Sequence, residues 1–241
     1  MKRDGIVLME RDKNLFRYLY LHKLARITDI QADVFGGVSR QAVQRRVQKL
    51  AHARYLECTY LPGTEKKIIY SLGQRAVRDW IGSKETLDRS QTKSNSPFHD
   101  LVLLEIMRWL KSKKNVEAVF SENGIRSGLY VDLPDVDGIR SLNSDIAARI
   151  RFHEKPILLP LEYERMEKFS HRYDKVIRRY YQNKQVEAVI FICEDSKILK
   201  KISYLELKAK PPHKFFYALR EKLNTEKTYF KNIDGVTLTI E

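Results

Sequence analysis

The chain is expected to be an α+β protein of two domains, and three observations predict it. Residues before about 82 alternate helical stripes with one hairpin; a polar stretch with a single aliphatic residue follows; beyond it, strands of period two sit beside stripes of period three and a half. The expected division is 1–81, a linker over 82–97, and a second domain over 98–241.

In the first domain, Leu15, Phe16, Leu19 and Tyr20 mark a helix from about Arg11 to His22. Ile27, Ile30, Val34 and Phe35 mark a second, which Gly36-Gly37 ends. Ser39 caps a third helix that runs to about Ala53 with Val43, Val47 and Leu50 inward. Tyr55 to Leu61 and Lys66 to Leu72 read as a hairpin around Pro62-Gly63-Thr64-Glu65, and the stretch from Gly73 to Trp80 as a short closing helix.

The third helix carries Arg40, Gln41, Gln44, Arg45 and Gln48 mainly on its outer side, the display expected of a reader of the DNA major groove. Lys66 and Lys67 stand at the hairpin tip as candidate DNA-binding residues. Helix, helix, helix, hairpin, helix resembles a winged helix-turn-helix, most clearly from Lys49-Leu50 through Tyr70-Ser71-Leu72-Gly73. The competing reading is a solvated basic face on a small protein-interaction domain. Charge speaks against it: between Met1 and Pro97, Lys and Arg exceed Asp and Glu by 9, against 5 for the rest of the chain. Binding through this surface is expected to be strongly salt-sensitive.

The stretch Gly82 to Pro97 ends in Ser-Asn-Ser-Pro and holds only Leu87 as an aliphatic residue, too little apolar surface to offset the entropy of ordering. Next comes a helix from Phe98-His99-Asp100 to about Lys111, mostly scaffold, from which His99 and Glu105 could reach a site although a surface role suits both. Val116 to Ser121 reads as a strand, and residues 123–144, with Asp132, Asp135 and Asp137, as loops and a short hairpin. Beyond the hairpin described next, a helix is expected from Arg165 to about Asn183 on the stripe Met166, Phe169, Tyr173, Val176, Ile177, Tyr180. Val186 to Cys193 is a central strand by its continuous apolar run, Phe215 to Leu223 a late helix and Val236 to Ile240 a last strand.

Ile146 to Phe152 and Ile157 to Tyr163, joined by His153-Glu154-Lys155-Pro156, form two arms of a hairpin. A turn at Glu154-Lys155 sets Asp145 opposite Glu164, and a turn one residue earlier sets it opposite Glu162. Glu162 and Glu164, two apart on a strand, share a face. Three gathered carboxylates repel unless something positive lies between them, which suits Mg²⁺ or Mn²⁺ held by Asp145, Glu162 and Glu164. The competing reading is a salt-bridged rim in which Glu162 and Glu164 pair with Arg149, Arg151 or Arg165.

An Asp on one strand and an acid-x-acid or acid-x-Lys on its neighbour, followed by a helix, resembles the restriction-endonuclease-like fold, PD-(D/E)XK. Asp145 and Glu162 match its two acids. Glu164 stands where the pattern has Lys, and Lys168, four residues on, would restore the cation from the following helix. With the N-terminal unit, the whole is similar to the MobC-type plasmid relaxases and the broader replication-relaxation proteins. The resemblance implies a nicking site of Asp145, Glu162, Glu164 and Lys168, a divalent metal, double-stranded DNA of a plasmid transfer origin as substrate, and the relaxosome and its coupling protein as partners.

A net charge of +14 points to nucleic acid or an anionic membrane as partner. No run approaches a membrane span, and the start lacks the apolar core of a signal peptide, so a soluble cytoplasmic protein is expected. Cys58 and Cys193 are too few for a disulfide framework or a zinc module. Most relaxases gather metal with a His-hydrophobe-His triplet, and none of His22, His52, His99, His153, His171 or His213 has a partner two residues away. Tyr173 and Tyr180 fall on the core stripe, leaving Tyr181 as the tyrosine free for covalent attack; hydrolysis by metal-activated water is preferred. The expectation is a sequence-specific, metal-dependent nicking enzyme. The alternatives are a DNA-binding regulator or replication accessory with an inert nuclease-like domain, and an adaptor that grips another protein.

Overall fold

Leu15, Phe16, Leu19 and Tyr20 recur at helical spacing, and in the computed structural model of the protein all four are sealed from solvent on α1 (Glu10–His22). The structure describes the chain except residues 1–5, 62, 65–66, 82–91, 131, 153–154, 210–211 and 225–226. It is a mixed α+β protein that divides into two compact units, Met1–Leu104 and Glu105–Glu241.

In the first unit α1 leads through β1 (Ala25–Arg26) to α2 (Ile27–Asp33) and α3 (Arg40–His52). The Ser39 hydroxyl accepts from Ala42 N at 3.4 Å and starts α3, whose Val43, Val47 and Leu50 are fully buried. A hairpin follows, β2 (Leu56–Tyr60) and β3 (Ile68–Leu72), with β1 added on the far side of β3. A short α4 (Gln74–Ala76) runs into a π-helical turn, Val77–Ile81. Gly73 precedes it because a Cβ there would lie 2.5 Å from the Arg54 carbonyl oxygen, a backbone contact that cannot give way. Asp12, fully buried, ties α1 to α3: Arg46 Nε donates to its Oδ1 at 2.9 Å and Nη2 to its Oδ2. The hairpin's Leu61 and Ile69 cluster with Leu24 and with Leu101 of α5 (Pro97–Lys111).

Most of the expected linker, residues 82–91, lies outside the described residues. Its end is packed: Thr92 is buried and Lys93 Nζ is 3.2 Å from Glu57. The division between the units falls within α5.

The second unit is built on a seven-stranded mixed sheet. After β4 (Val116–Ser121) come α6 (Glu122–Arg126), α7 (Pro134–Gly138), a 3-10 turn, β5 (Ile146–Phe152), β6 (Lys155–Glu164) and α8 (Ser170–Gln182). Then follow β7 (Val189–Cys193), α9 (Ser196–Glu206), β8 (Phe215–Leu219), β9 (Thr228–Lys231) and β10 (Thr237–Ile240). Strands β4 to β6 are an antiparallel meander, β6, β7 and β8 are parallel across α8 and α9, and β8 to β10 are antiparallel again. Asn115, just before β4, pairs with Thr239 of β10 and with Glu241 just after it, so the sheet curls until its two edges approach. The main core lies between one face of this sheet, through Ala147, Phe191, Cys193 and Phe215, and Tyr173, Ile177 and Tyr180 of α8 with Ile198 and Ile202 of α9. Each large side chain sealed there is worth about 1.5–3 kcal/mol.

Three expectations are corrected. Phe215–Leu219 is a strand and only Arg220–Asn224 is a helical turn, because a short aromatic run is decided by pairing with β7. The stretch 123–144 holds short helices, α7 opening with Pro134 at its first position, and no hairpin among the described residues. Helix α8 begins at Ser170, five residues late, because Met166 and Phe169 point to solvent at 68% and 76% exposure and the true stripe starts at Tyr173. Helix α9 and strand β9 were not foreseen. Among the described residues no helix is long and apolar enough to cross a membrane.

Candidate functional site

The β5–β6 ladder runs from Phe152 opposite Lys155 to Ile146 opposite Leu161, the connection 153–154 lying outside the described residues. One step further in this register sets Asp145 across from Glu162, the second of the two expected alignments. There Asp145 Oδ2 accepts from the Tyr163 amide at 2.9 Å, so the side chain takes over where backbone pairing stops. On the other side Glu162 and Glu164 pair with Phe191 and Cys193 of β7, on the sheet face that packs α8.

Both glutamates are buried, at 7% and 3% exposure, and each is met by a cation and not by a solvated rim. Glu162 Oε1 accepts from the Tyr180 hydroxyl at 2.5 Å and from Arg179 Nη2 at 3.1 Å. Glu164 Oε1 accepts from Lys168 Nζ at 2.7 Å. Two of the three expected alternative partners are engaged elsewhere: Arg149 forks onto Asp135 and Arg151 onto Glu117. Burial, then the charge of Asp145, pushes the Glu162 carboxyl up to about 8 against the pull of Tyr180 and Arg179, and Glu164 adds to the rise. Burial raises Tyr180 well above its usual range, with the Glu162 charge second.

Lys168 reaches Glu164 by a route other than the expected one. It lies in the segment between β6 and α8, not on the helix. Its amide donates to the Tyr173 hydroxyl at 3.0 Å and its carbonyl accepts from Lys201 Nζ at 2.8 Å, so both sides of its backbone are held.

Tyr181 is not free. Its hydroxyl donates at 2.8 Å to Glu206, a fully buried carboxylate that also accepts from Tyr217 and from the amides of Lys214 and Phe215. Burial and that carboxylate raise the Tyr181 phenol far above neutrality, which makes it a poor nucleophile. His99 meets Asp100, and Glu105 pairs with Arg220 at 3.0 Å. Arg179 and Tyr180 are the site residues that sequence reasoning missed; the signal was two tyrosines, Tyr173 and Tyr180, on a core stripe beside a strand of acids, since a buried phenol seeks an acceptor.

In the first unit Arg40, Gln41, Gln44 and Arg45 are all exposed on α3, and Lys67 is exposed beside the hairpin turn. Lys66 lies outside the described residues. Arg46, next to Arg45, turns inward to Asp12 and belongs to the scaffold.

The chain matches no known protein family, curated protein or solved structure.

Asp145, Glu162 and Glu164 suit a hard divalent cation in kind: all offer oxygen, and Glu162 is disfavoured as an anion first by burial, then by Asp145 and least by Glu164, a penalty that a cation would relieve. Among the described residues no three His, Cys, Asp or Glu side chains are already drawn together as a ligand group. The carboxylates instead face Arg179 and Lys168, cations that a metal would have to displace or share.

Proposed function

We propose that the protein is a sequence-specific, divalent-metal-dependent DNA-nicking enzyme. Its first unit would be a winged helix-turn-helix that reads double-stranded DNA, and its second a restriction-endonuclease-like PD-(D/E)XK domain that cuts one strand. The observation that carries this reading is the register that sets Asp145 one step beyond the last β5–β6 pair, level with Glu162 and beside Glu164, with the Lys168 ammonium on Glu164. Basic charge concentrated before Pro97, and an exposed Arg and Gln face on α3, support DNA as the substrate. The resemblance to MobC-type relaxases extends the reading to a plasmid transfer origin, with relaxosome proteins and a coupling protein as partners.

Asp145, Glu162 and Glu164 would hold Mg²⁺ or Mn²⁺. Such an ion, when bound, polarises a phosphate and lowers the pKa of water at its open positions. Lys168 would face charge that develops on the phosphate, and the pinning of its backbone by Tyr173 and Lys201 would keep that ammonium in place. Tyr180 would orient Glu162.

The test is to incubate the purified chain and supercoiled plasmid bearing its cognate origin with Mg²⁺ or Mn²⁺, and to look for open circles that chelator abolishes. A second reading, a DNA-binding regulator or replication accessory with an inert second domain, is favoured by the engagement of Glu162 and Glu164 with Arg179 and Lys168. It is the better account if the plasmid shifts in a gel but is never nicked.

A further inference from the structure

Arg179 lies on α8 one residue before Tyr180, and its Nη2 reaches the Glu162 oxygen that Tyr180 already holds. That contact uses one of the five N–H donors of a guanidinium. Nε, which shares an edge of the group with Nη2, is buried and meets no acceptor. Buried donors in folded proteins are nearly always paired. An edge with one donor in use and the other idle therefore lacks an acceptor, and the shape it offers is a fork suited to two oxygens of one carboxylate or phosphate.

The exposures indicate which side that acceptor comes from. The Arg179 side chain is 32% exposed over a Glu162 side chain at 10%, and Lys168 is 38% exposed over Glu164 at 4%. Two buried acids thus lie beneath two part-exposed cations, and a polyanion that approaches from solvent meets the cations first. If Arg179 served only to hold Glu162, Tyr180 would duplicate it on the same oxygen.

We propose that Arg179 is a catalytic residue of the nicking reaction, its Nε and Nη2 edge, which faces Glu162 and whose Nε is closed to solvent in this structure, turning outward to take two oxygens of the scissile phosphodiester as Nη2 leaves Glu162. This rests on the nicking assignment above. Lys168 supplies a point charge on the other side, and the guanidinium supplies geometry that an ammonium cannot.

The experiment compares full-length wild type, Arg179→Gln, Arg179→Lys and Glu162→Gln in single-turnover nicking of cognate supercoiled plasmid, with Mn²⁺ affinity measured by calorimetry without DNA. Circular dichroism and a gel-shift on cognate duplex confirm that each variant folds and binds. Arg179→Gln should nick about 10²–10³-fold more slowly, the usual loss for one electrostatic donor. Arg179→Lys should recover only part of the rate. Mn²⁺ affinity should be equal to wild type or tighter in Arg179→Gln, since a competing cation has left the acids. An Arg179→Gln protein that nicks normally while Glu162→Gln is dead overturns the role of Arg179 and spares the nuclease. A loss of Mn²⁺ affinity in Arg179→Gln also overturns it, making Arg179 a positioning residue for Glu162. If wild type neither nicks nor binds Mn²⁺, the nuclease reading and the role of Arg179 fall together.

Discussion

Tyr180 sets its hydroxyl 2.5 Å from Glu162, joining a helix to a strand 18 residues earlier inside the core. A phenol far above its usual pKa donates there to a carboxyl pushed up to about 8, chiefly by burial. The folded state keeps a proton that the unfolded chain, ionising near the ordinary 4.5, gives up. Stability from this group is therefore complete below the unfolded value and is lost as pH rises through about 8. Denaturant unfolding between about pH 5 and 9, in chelator, should show wild type losing stability toward the alkaline end by an amount on the order of a few kcal/mol. Glu162→Gln should remove most of that slope. A slope unchanged by this substitution would locate the proton elsewhere.

Glu206 draws four donors onto one fully buried carboxylate, from Tyr181, Tyr217 and the Lys214 and Phe215 amides. Glu206→Ala strands these neutral donors, each costing about 1–3 kcal/mol where it stays buried and unpaired, so a loss of several kcal/mol is expected. Tyr181→Phe removes one donor and should cost about 1 kcal/mol. Its nicking rate should match wild type at temperatures where both are folded. Abolished nicking by folded Tyr181→Phe would instead establish a covalent tyrosine route.

The β5–β6 hairpin was legible because alternation and the break at residues 153–156 both mark it, and its acids were legible as three carboxylates near one open end. Whether Asp145 faced Glu162 or Glu164 was not, since one residue in the turn moves every pair along the ladder. The nearness of Lys168 to Glu164 was legible from their spacing, but not its place: Met166 and Phe169 imitate the start of the α8 stripe but stay in solvent, so the lysine sits before the helix. That a core-stripe tyrosine would seek an acceptor was legible, but that Tyr180 and Arg179 both meet Glu162 was not, because helical spacing reports which way a side chain points and not which strand it meets. Phe215–Leu219 misled for a related reason, its apolar run being open to helix or strand until β7 pairs with it.

Neighbouring arginines on α3 should separate cleanly. Arg45 is exposed, whereas Arg46 closes on buried Asp12. Arg45→Ala with Gln44→Ala should weaken specific DNA binding by roughly 1–3 kcal/mol per lost bidentate base contact and leave thermal stability near wild type. Arg46→Ala should do the opposite, costing about 3 kcal/mol of folding free energy by abandoning the Asp12 charge. Gel-shifts and thermal melts on the two proteins decide it. Equal binding by wild type and the Arg45 and Gln44 variant would remove α3 from the DNA interface.

The acids themselves carry the decisive expectation. Asp145, Glu162 and Glu164 differ in their surroundings, one capping the strand end through the Tyr163 amide, one held by Tyr180 and Arg179, one by Lys168. If the three hold one divalent ion, replacing any of them with Ala should lower nicking by orders of magnitude while cognate duplex still shifts in a gel. Lys168→Ala should behave differently, because the lysine faces the phosphate and not the ion: Mn²⁺ affinity kept or raised, single-turnover nicking about 10²-fold slower. Crystals soaked in Mn²⁺ should place the ion about 2.0–2.3 Å from carboxylate oxygens. A Glu162→Ala protein that nicks at the wild-type rate would remove the acids from the chemistry and overturn the proposed metal site.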